Sequence, residues 1–511
     1  MMLVTRVDAV FAVFSRSGIC VSCLRVLLLI LLVELIDTAI SGFFARRVTN
    51  ISIFSINSKP DKPAPIRDWT EGSIFNSLMS LAWPIVISSS LTMLGPTIDM
   101  IWVGKLGPDA LAAVSLSSMV IMVVNALMMG LFTSLRAMVS RATGAGDAKA
   151  ANNAFQQAFV IGVIFSIFMA IIGMFLSKEI LQLFGAEPEV VDIATVYNRI
   201  QFVGMVTMTM RMITEATMQS SGDTMSAMRI GVFFRVLHMI FCPFFVFGLW
   251  IFPKMGVSGA ATMDVISQGI GGAIGLWLLL AGRSRLKVTF KGFVFDLKNI
   301  WRQVRIGVPA SINSMLRSFI GVFMLRFISP FGTLAIAAYG LSQRVENFMD
   351  IGASALGTAA GVLAGQNLGA KKPQRAEKTG WLACGLSIII MAVAIAILLS
   401  WPGAVVHLFN NDPGLVEIAS NFLRITAVSF LVMGPAAVLT NVLNGVGDTT
   451  IPLFASLITM WGIQIPLALY LPKIGGLGVY GIRWAMAIAL ALRAFTYLVY
   501  YRSGKWKTKR I

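Results

Sequence analysis

The sequence is short of the residues most enzymes work with. Its 511 residues include 2 histidines, 4 cysteines and only 13% charged side chains, against roughly 25% charged in an ordinary soluble domain. Two histidines, with no H-E-x-x-H and no G-x-S-x-G, leave a membrane-embedded hydrolase without a metal pair or a nucleophile and base. Four scattered cysteines exclude a disulfide framework. Cys20 and Cys23 form a C-x-x-C, but it opens an apolar run with no second pair beside it, and Cys242 and Cys384 fall inside predicted spans. The loop QNLGAKK (366–372) lacks the G-x-x-x-x-G-K-[ST] spacing of a phosphate loop, so no nucleotide site and no organic cofactor are expected.

What the chain has in abundance is apolar sequence, 57% of it. A membrane span takes about 20 such residues, and after Asp68 twelve stretches of that kind follow one another with short polar breaks. The net charge of +18 sits in alternate loops: Arg141 and Lys149; Arg283 to Lys298; Lys371 to Lys378; and Arg502 to Arg510. The intervening loops carry about one lysine each, at Lys105, Lys178, Lys254 and Lys473. The excess charge therefore reports topology, placing the start of the core and the C-terminus in the cytoplasm and the protein in the cell inner membrane. It does not form the basic face with interleaved aromatics that would indicate a nucleic-acid partner.

The first seventy residues read as an extension. Ile19 to Ile36 is apolar and reads as a signal-anchor or an additional span, although Arg25 and Glu34 within it weaken both readings, and 59–68 (KPDKPAPIRD) is a proline-rich linker.

Sliding the chain by 225 residues matches it to itself without a gap: Pro84 falls on Pro309, Gly107 on Gly332, Gly144 on Gly369, Pro188 on Pro413, and Gly222-Asp223-Thr224 on Gly447-Asp448-Thr449. Six spans per repeat make the halves parallel, and such halves typically enclose a site near the membrane midplane that opens alternately to either side. The expected fold is all-α: twelve core transmembrane helices in two pseudo-symmetric six-helix bundles, 71–281 and 300–502. A basic linker, 282–299, joins them; 1–70 precedes them, with one extra apolar helix, and 503–511 forms a basic tail.

The stretch Leu81 to Val120, with an early proline, an aspartate before V-G-x-L-G and a small-residue L-A-A, resembles the first two helices of the multidrug and toxic compound extrusion (MATE) family. SSGDT (220–224), GVSGAA (256–261), AGQNLGAKKPQRA (364–376) and NGVGDTT (444–450) extend the resemblance over nearly all of 75–502. It implies a secondary active transporter rather than an enzyme: a cation-gradient-driven antiporter exporting organic, mostly cationic amphipathic compounds, working as a monomer in the bilayer. A lipid-linked saccharide flippase of the same superfamily is the alternative.

A charge inside a span is expensive and marks function by default. Asp99 matches the helix-1 aspartate on which the family's first half centres its cation or proton site; the plain alternative is a residue at the headgroups capping the next turn. In helix 5 a well-known branch reads L-N-x-x-L-D-P where this chain reads LHMIFCP (237–243), so His238 replaces the asparagine and Cys242, most simply a packing residue, the aspartate. Helix 6 carries Asp264 where the family commonly has threonine. Asp99, His238 and Asp264 are expected to converge; paired carboxylates and an imidazole suit proton coupling better than sodium, though sodium at Asp99 and Asp264 stays open. Arg211 and Glu215 should pair along helix 4, Tyr197 should line the cavity, and Asn313 and Arg317 on helix 7 with Arg344, Glu346 and Asp350 on helix 8 form a polar strip, part of which is expected to form pairs between the halves that open and close with the gate. His407 is read as inert.

Overall fold

The computed structural model describes residues 68–183, 187–407, 409–509 and 511. The apolar segment and the C-x-x-C of the N-terminal extension lie outside the described residues, as does Arg510. Among the described residues there is no strand, and twelve long helices carry the fold: α1 (Ile74–Val103), α2 (Pro108–Gly144), α3 (Ala148–Gln182), α4 (Pro188–Ser221), α5 (Thr224–Phe247), α6 (Val257–Leu280), α7 (Leu297–Ile328), α8 (Thr333–Gly369), α9 (Pro373–Ser400), α10 (Pro413–Gly445), α11 (Thr450–Lys473) and α12 (Val479–Ser503). Eleven are long and apolar enough to cross a membrane. The exception is α4, whose apolar run is interrupted by Arg199, Gln201, Arg211, Glu215 and Gln219; most of those side chains turn out to belong to the site.

The repeat reappears in backbone geometry. α2 and α8 are both 37 residues long. Each follows a glycine in the left-handed half of the map, Gly107 (φ 127°, ψ 172°) and Gly332 (φ 94°, ψ 174°). A proline stands inside each half's first helix at the matching place, Pro84 in α1 and Pro309 in α7. Lacking an N–H, it removes one helical hydrogen bond and gives the helix a place to bend. α11 accommodates its own irregularity as a π-helical stretch at Leu457–Gln464.

The bundles are not sealed units, because each lends the foot of its first helix to the other. Leu78, Leu81 and Ile85 of α1 are buried in one apolar cluster with Leu356, Leu363, Leu439 and Tyr497 of the second half. Reciprocally, Gln303 of α7 donates to the carbonyl of Ala154 in α3 at 2.8 Å, and Ser311 bonds the carbonyl of Leu127 in α2.

The end of the molecule that carries the basic loops is clasped shut. α2 and α8 cross at Gly144 and Gly369, where a Cβ would stand 1.9 Å from the Gln366 carbonyl oxygen and 2.1 Å from that of Arg141. Both glycines are helical, so what they supply is close approach of two backbones and not positive φ. Arg141 donates to the carbonyls of Lys509 and Val446 (2.7 and 3.0 Å), and Gln366 to that of Ser220 (2.8 Å). The polar strip of α8 behaves differently from expectation: Glu346 pairs with Arg483 of its own half and Asp350 accepts from Ser354, one turn along the same helix. Neither reaches across the halves, because the side of α8 that carries them packs toward α10 and α12.

Candidate functional site

The outer part of α1 is built to bring a carboxylate inside. Pro96 leaves the carbonyl of Thr92 without its helical donor, and Asp99 follows one turn later, only 5% exposed. Opposite it, α5 presents Arg235, His238 and Cys242, spaced three and four residues apart so that they share one face. A glycine makes the approach possible: a Cβ at Gly95 would lie 2.1 Å from Nη1 of Arg235.

From Asp99 a polar chain runs through the first half. His238, fully buried, places Nε2 3.1 Å from Asp99 Oδ1, an ion-pair approach too bent to count as a straight hydrogen bond. Its Nδ1 lies 3.3 Å from Arg235 Nη1. Because a guanidinium only donates, Nδ1 is assigned as acceptor and Nε2 carries the proton toward Asp99. Arg235 Nη1 is in turn 3.9 Å from Asp264 Oδ1. Asp264 Oδ2 accepts from Gln268 at 2.8 Å and from Gln201 at 3.5 Å, and Gln201 approaches the Tyr197 hydroxyl at 3.4 Å. Gln268 accepts from Arg211 Nε at 3.3 Å, Arg211 pairs with Glu215 at 2.6 Å, and Gln219 closes the series on Glu215 at 3.0 Å. The Phe234 ring lies between the two guanidinium groups, 4.4 Å from Arg211 and 4.9 Å from Arg235.

Asp99, His238 and Asp264 are thus brought together, with Tyr197 and Glu215 on the same network and the Arg211–Glu215 pair formed as the spacing predicts. The link between them, Arg235, was passed over in the sequence; an arginine three residues before His238 in a predicted span was the available signal. Cys242 is more than packing, since its Sγ faces Asp99 Oδ1 at 3.7 Å. Asp99, His238 and Cys242 offer donor atoms within 4.8 Å of one another. With one carboxylate oxygen and two softer donors, that set suits a hard cation such as sodium poorly. Three carboxylates (Asp99, Asp264, Glu215) face two guanidinium groups (Arg211, Arg235), and a third guanidinium, Arg136 of α2, stands within electrostatic reach of Glu215.

The second half is arranged otherwise. Near its outer end Glu346, Arg483 and Thr426 form a closed cluster: Arg483 pairs with Glu346, donates to Thr426 at 2.7 Å, and lies over Phe422 and Tyr339 (5.2 and 5.6 Å). Deeper in, Asn313 and Asp350 line a cavity together with Arg317 and Arg493. His407 is exposed and, among the described residues, its hydrogen-bond partner is Asn411, at 3.1 Å.

Comparison with known proteins bears on the fold and the family. The MatE family model matches residues 84–244 and 309–470, one match in each half. Among curated proteins, the chain is 26% identical to a "Probable multidrug resistance protein YoeA" of Bacillus subtilis over 88% of this chain and 98% of that one. It is 27% identical to a "Multidrug resistance protein NorM" of Burkholderia vietnamiensis over 80% and 90%. Among solved structures, one described as the "Outward-facing conformation of a multidrug resistance MATE family transporter of the MOP superfamily" superposes with a TM-score of 0.80 at 22% identity, covering 87% of this chain and 98% of that one.

Proposed function

The chain belongs to the MATE family of multidrug efflux transporters, and from that premise we propose that it is a proton-coupled antiporter whose coupling site is Asp99. It is a multi-pass membrane protein and a transporter of small molecules, not an enzyme; the kinship with multidrug resistance proteins favours drug export over the lipid-linked saccharide flippase. The observation that carries the reading is the continuous link from Asp99 through His238 and Arg235 to Asp264.

The Asp99 carboxylate can take up a proton or attract an organic cation, but not both at once. That exclusion is what antiport requires. The groups facing Asp99 are His238, Arg235 and Cys242 on α5, Asp264 on α6 and Tyr197 on α4. Protonating Asp99 cancels its attraction for His238 and Arg235 and frees the outer part of α1. Since the foot of α1 is packed into the second half, a change in its bend at Pro84 and Pro96 moves one half against the other. Sodium fits less well, because Arg235 already fills the gap between the carboxylates. By the positive-inside rule the clasped, basic end faces the cytoplasm of an inner-membrane protein, so this arrangement opens toward the outside. The path through a single chain requires no second copy, in keeping with a monomer.

Efflux of a fluorescent organic cation from everted vesicles tests this reading. A pH gradient should drive it, a sodium gradient should not, and Asp99→Asn should abolish it. Full pH-driven efflux by both Asp99→Asn and Asp264→Asn would falsify the assignment.

A further inference from the structure

We propose that the second half holds an oxyanion subsite, formed by Arg317 of α7 and Arg493 of α12 with Asn313, that receives a carboxylate or phosphate group of an amphipathic ligand. The inference names a substrate class for the transporter proposed above and rests on that reading.

The cavity is enclosed by α7, α8, α10, α11 and α12. Two guanidinium groups line it against a single carboxylate, Asp350. That carboxylate lies within electrostatic reach of Arg493 but forms no ion pair within 4.0 Å with either arginine; its Oδ2 accepts from Ser354 at 2.8 Å. Among the described residues no ion pair within 4.0 Å involves Arg317 or Arg493. Asn313, 4% exposed, has a carboxamide with no hydrogen-bond partner, and its Oδ1 is buried outright. A carboxamide can turn to offer its NH2, the two orientations being equivalent in shape.

An arginine in a span normally finds a carboxylate or backbone carbonyls, as Arg483 and Arg211 do here, because an uncompensated charge there is costly. Two such groups left open at one cavity, beside an unsatisfied amide, is the pattern of a site whose counter-charge arrives with a ligand. The guanidinium fork matches the two oxygens of a carboxylate or phosphate, which a lysine would not. Thr440 on the wall gives its proton to the Ala436 carbonyl at 2.7 Å and has none for an oxyanion, so the donors of the subsite are the two guanidinium groups and the Asn313 amide; Ser456 and Tyr497 lie 3.4 Å apart. The first half, with the Asp99 and Asp264 carboxylates joined through Arg235, offers a negative group to a cationic end. A molecule bearing both charges would therefore satisfy both halves, one end in each.

The test compares two dyes that differ in one group, a rhodamine with a free carboxylate and its methyl ester. Full-length protein in phosphatidylcholine nanodiscs is titrated with each by fluorescence anisotropy. The wild type should bind the acid about tenfold more tightly than the ester, the difference expected of one charge-assisted oxyanion contact. Arg317→Gln and Arg493→Gln should each reduce that ratio, and the double substitution should bring it to unity. Arg317→Lys should retain part of it, which also shows that a loss in the glutamine variants is one of charge and not of folding. Equal affinities in the wild type, or a preference that survives the double substitution, overturns the subsite. Repeating the titration with half phosphatidylglycerol separates the two sources of the oxyanion. Competition with the acid that disappears in the double variant assigns the site to a lipid headgroup phosphate; undiminished acid binding assigns it to the dye's own carboxylate. Failure of the drug-export reading is seen elsewhere, as the absence of gradient-driven efflux of either dye from vesicles.

Discussion

The two halves share a backbone plan to within a residue at several helix ends, yet they use their buried charges in opposite ways. In the first half, Asp99, His238, Arg235, Asp264, Gln268, Arg211 and Glu215 are linked in series across α1, α4, α5 and α6. In the second, Glu346 and Arg483 satisfy each other at once, and two further guanidinium groups, Arg317 and Arg493, stand around a cavity. A series of contacts can pass on a change in protonation, because weakening one member alters the position of the next. A closed pair cannot. Repetition therefore supplied the frame, and the chemistry diverged on it.

The sharpest way to break this comparison is to neutralise one carboxylate in each half. Asp99→Asn should reduce pH-driven efflux at least about a hundredfold, since coupling has no second route to α1. Glu346→Gln should leave the pH dependence of the remaining efflux in place. Equal loss of proton coupling in both variants would mean that the second half also titrates.

Stability should show the reverse order. Glu346→Gln strands Arg483, whose side chain is 2% exposed, and breaking a buried pair from one side costs about 3–5 kcal/mol. Replacing both partners, as Glu346→Leu with Arg483→Met, should recover most of that loss in thermal unfolding of the purified protein. If the double variant is no more stable than the single one, the cluster is held by packing on Phe422 and Tyr339 and not by its charges.

A smaller effect is expected from Gly95→Ala. The new methyl would meet Arg235 Nη1 at 2.1 Å, and a guanidinium end can move aside, so the fold should survive while the Asp99–Asp264 link lengthens. Efflux should fall about tenfold, less than the roughly hundredfold that a 1 Å misplacement can cost, because the guanidinium end can re-seat. The matching position of the second half is Ile320, already a large buried side chain with no arginine to admit; its replacement by valine should leave coupling untouched.

How much of this could be read beforehand follows from what each feature depends on. The helices, their number and the repeat were legible because apolar run length and the 225-residue register are properties of the sequence itself. The convergence of Asp99, His238 and Asp264 was legible only through resemblance, which placed three helices in contact. Arg235 escaped because its role is set by the distance to a glycine on another helix, and Gly95 by itself looks like any small residue in a span. The polar strip of α8 was read as joining the halves because spacing shows that residues share a face but not which neighbour that face meets. The foot of α1 crossing into the second half is likewise a tertiary fact: Leu78, Leu81 and Ile85 would have read the same in either bundle.

The mildest contrast lies at the entry of each half's first helix. α1 is capped by Ser73, whose hydroxyl accepts from Asn76 N at 3.4 Å, whereas α7 is capped by Asp296, which accepts from Asn299 N at 3.0 Å and from Asn153 of α3 at 2.9 Å. The backbone N–H of Asn299 and then the Asn153 amide hold the Asp296 carboxyl below its usual range. A carboxylate lowered on folding contributes stability above its unfolded value, near 3.9, and loses it as the pH falls through the folded value. Asp296→Ala should therefore lower the unfolding temperature slightly and equally at pH 6 and pH 8, with the difference closing only below about pH 4. Ser73→Ala, carrying no ionisable group, should show a penalty independent of pH throughout. A penalty at Asp296 that changed between pH 6 and 8 would place a second titrating group at the junction of the halves.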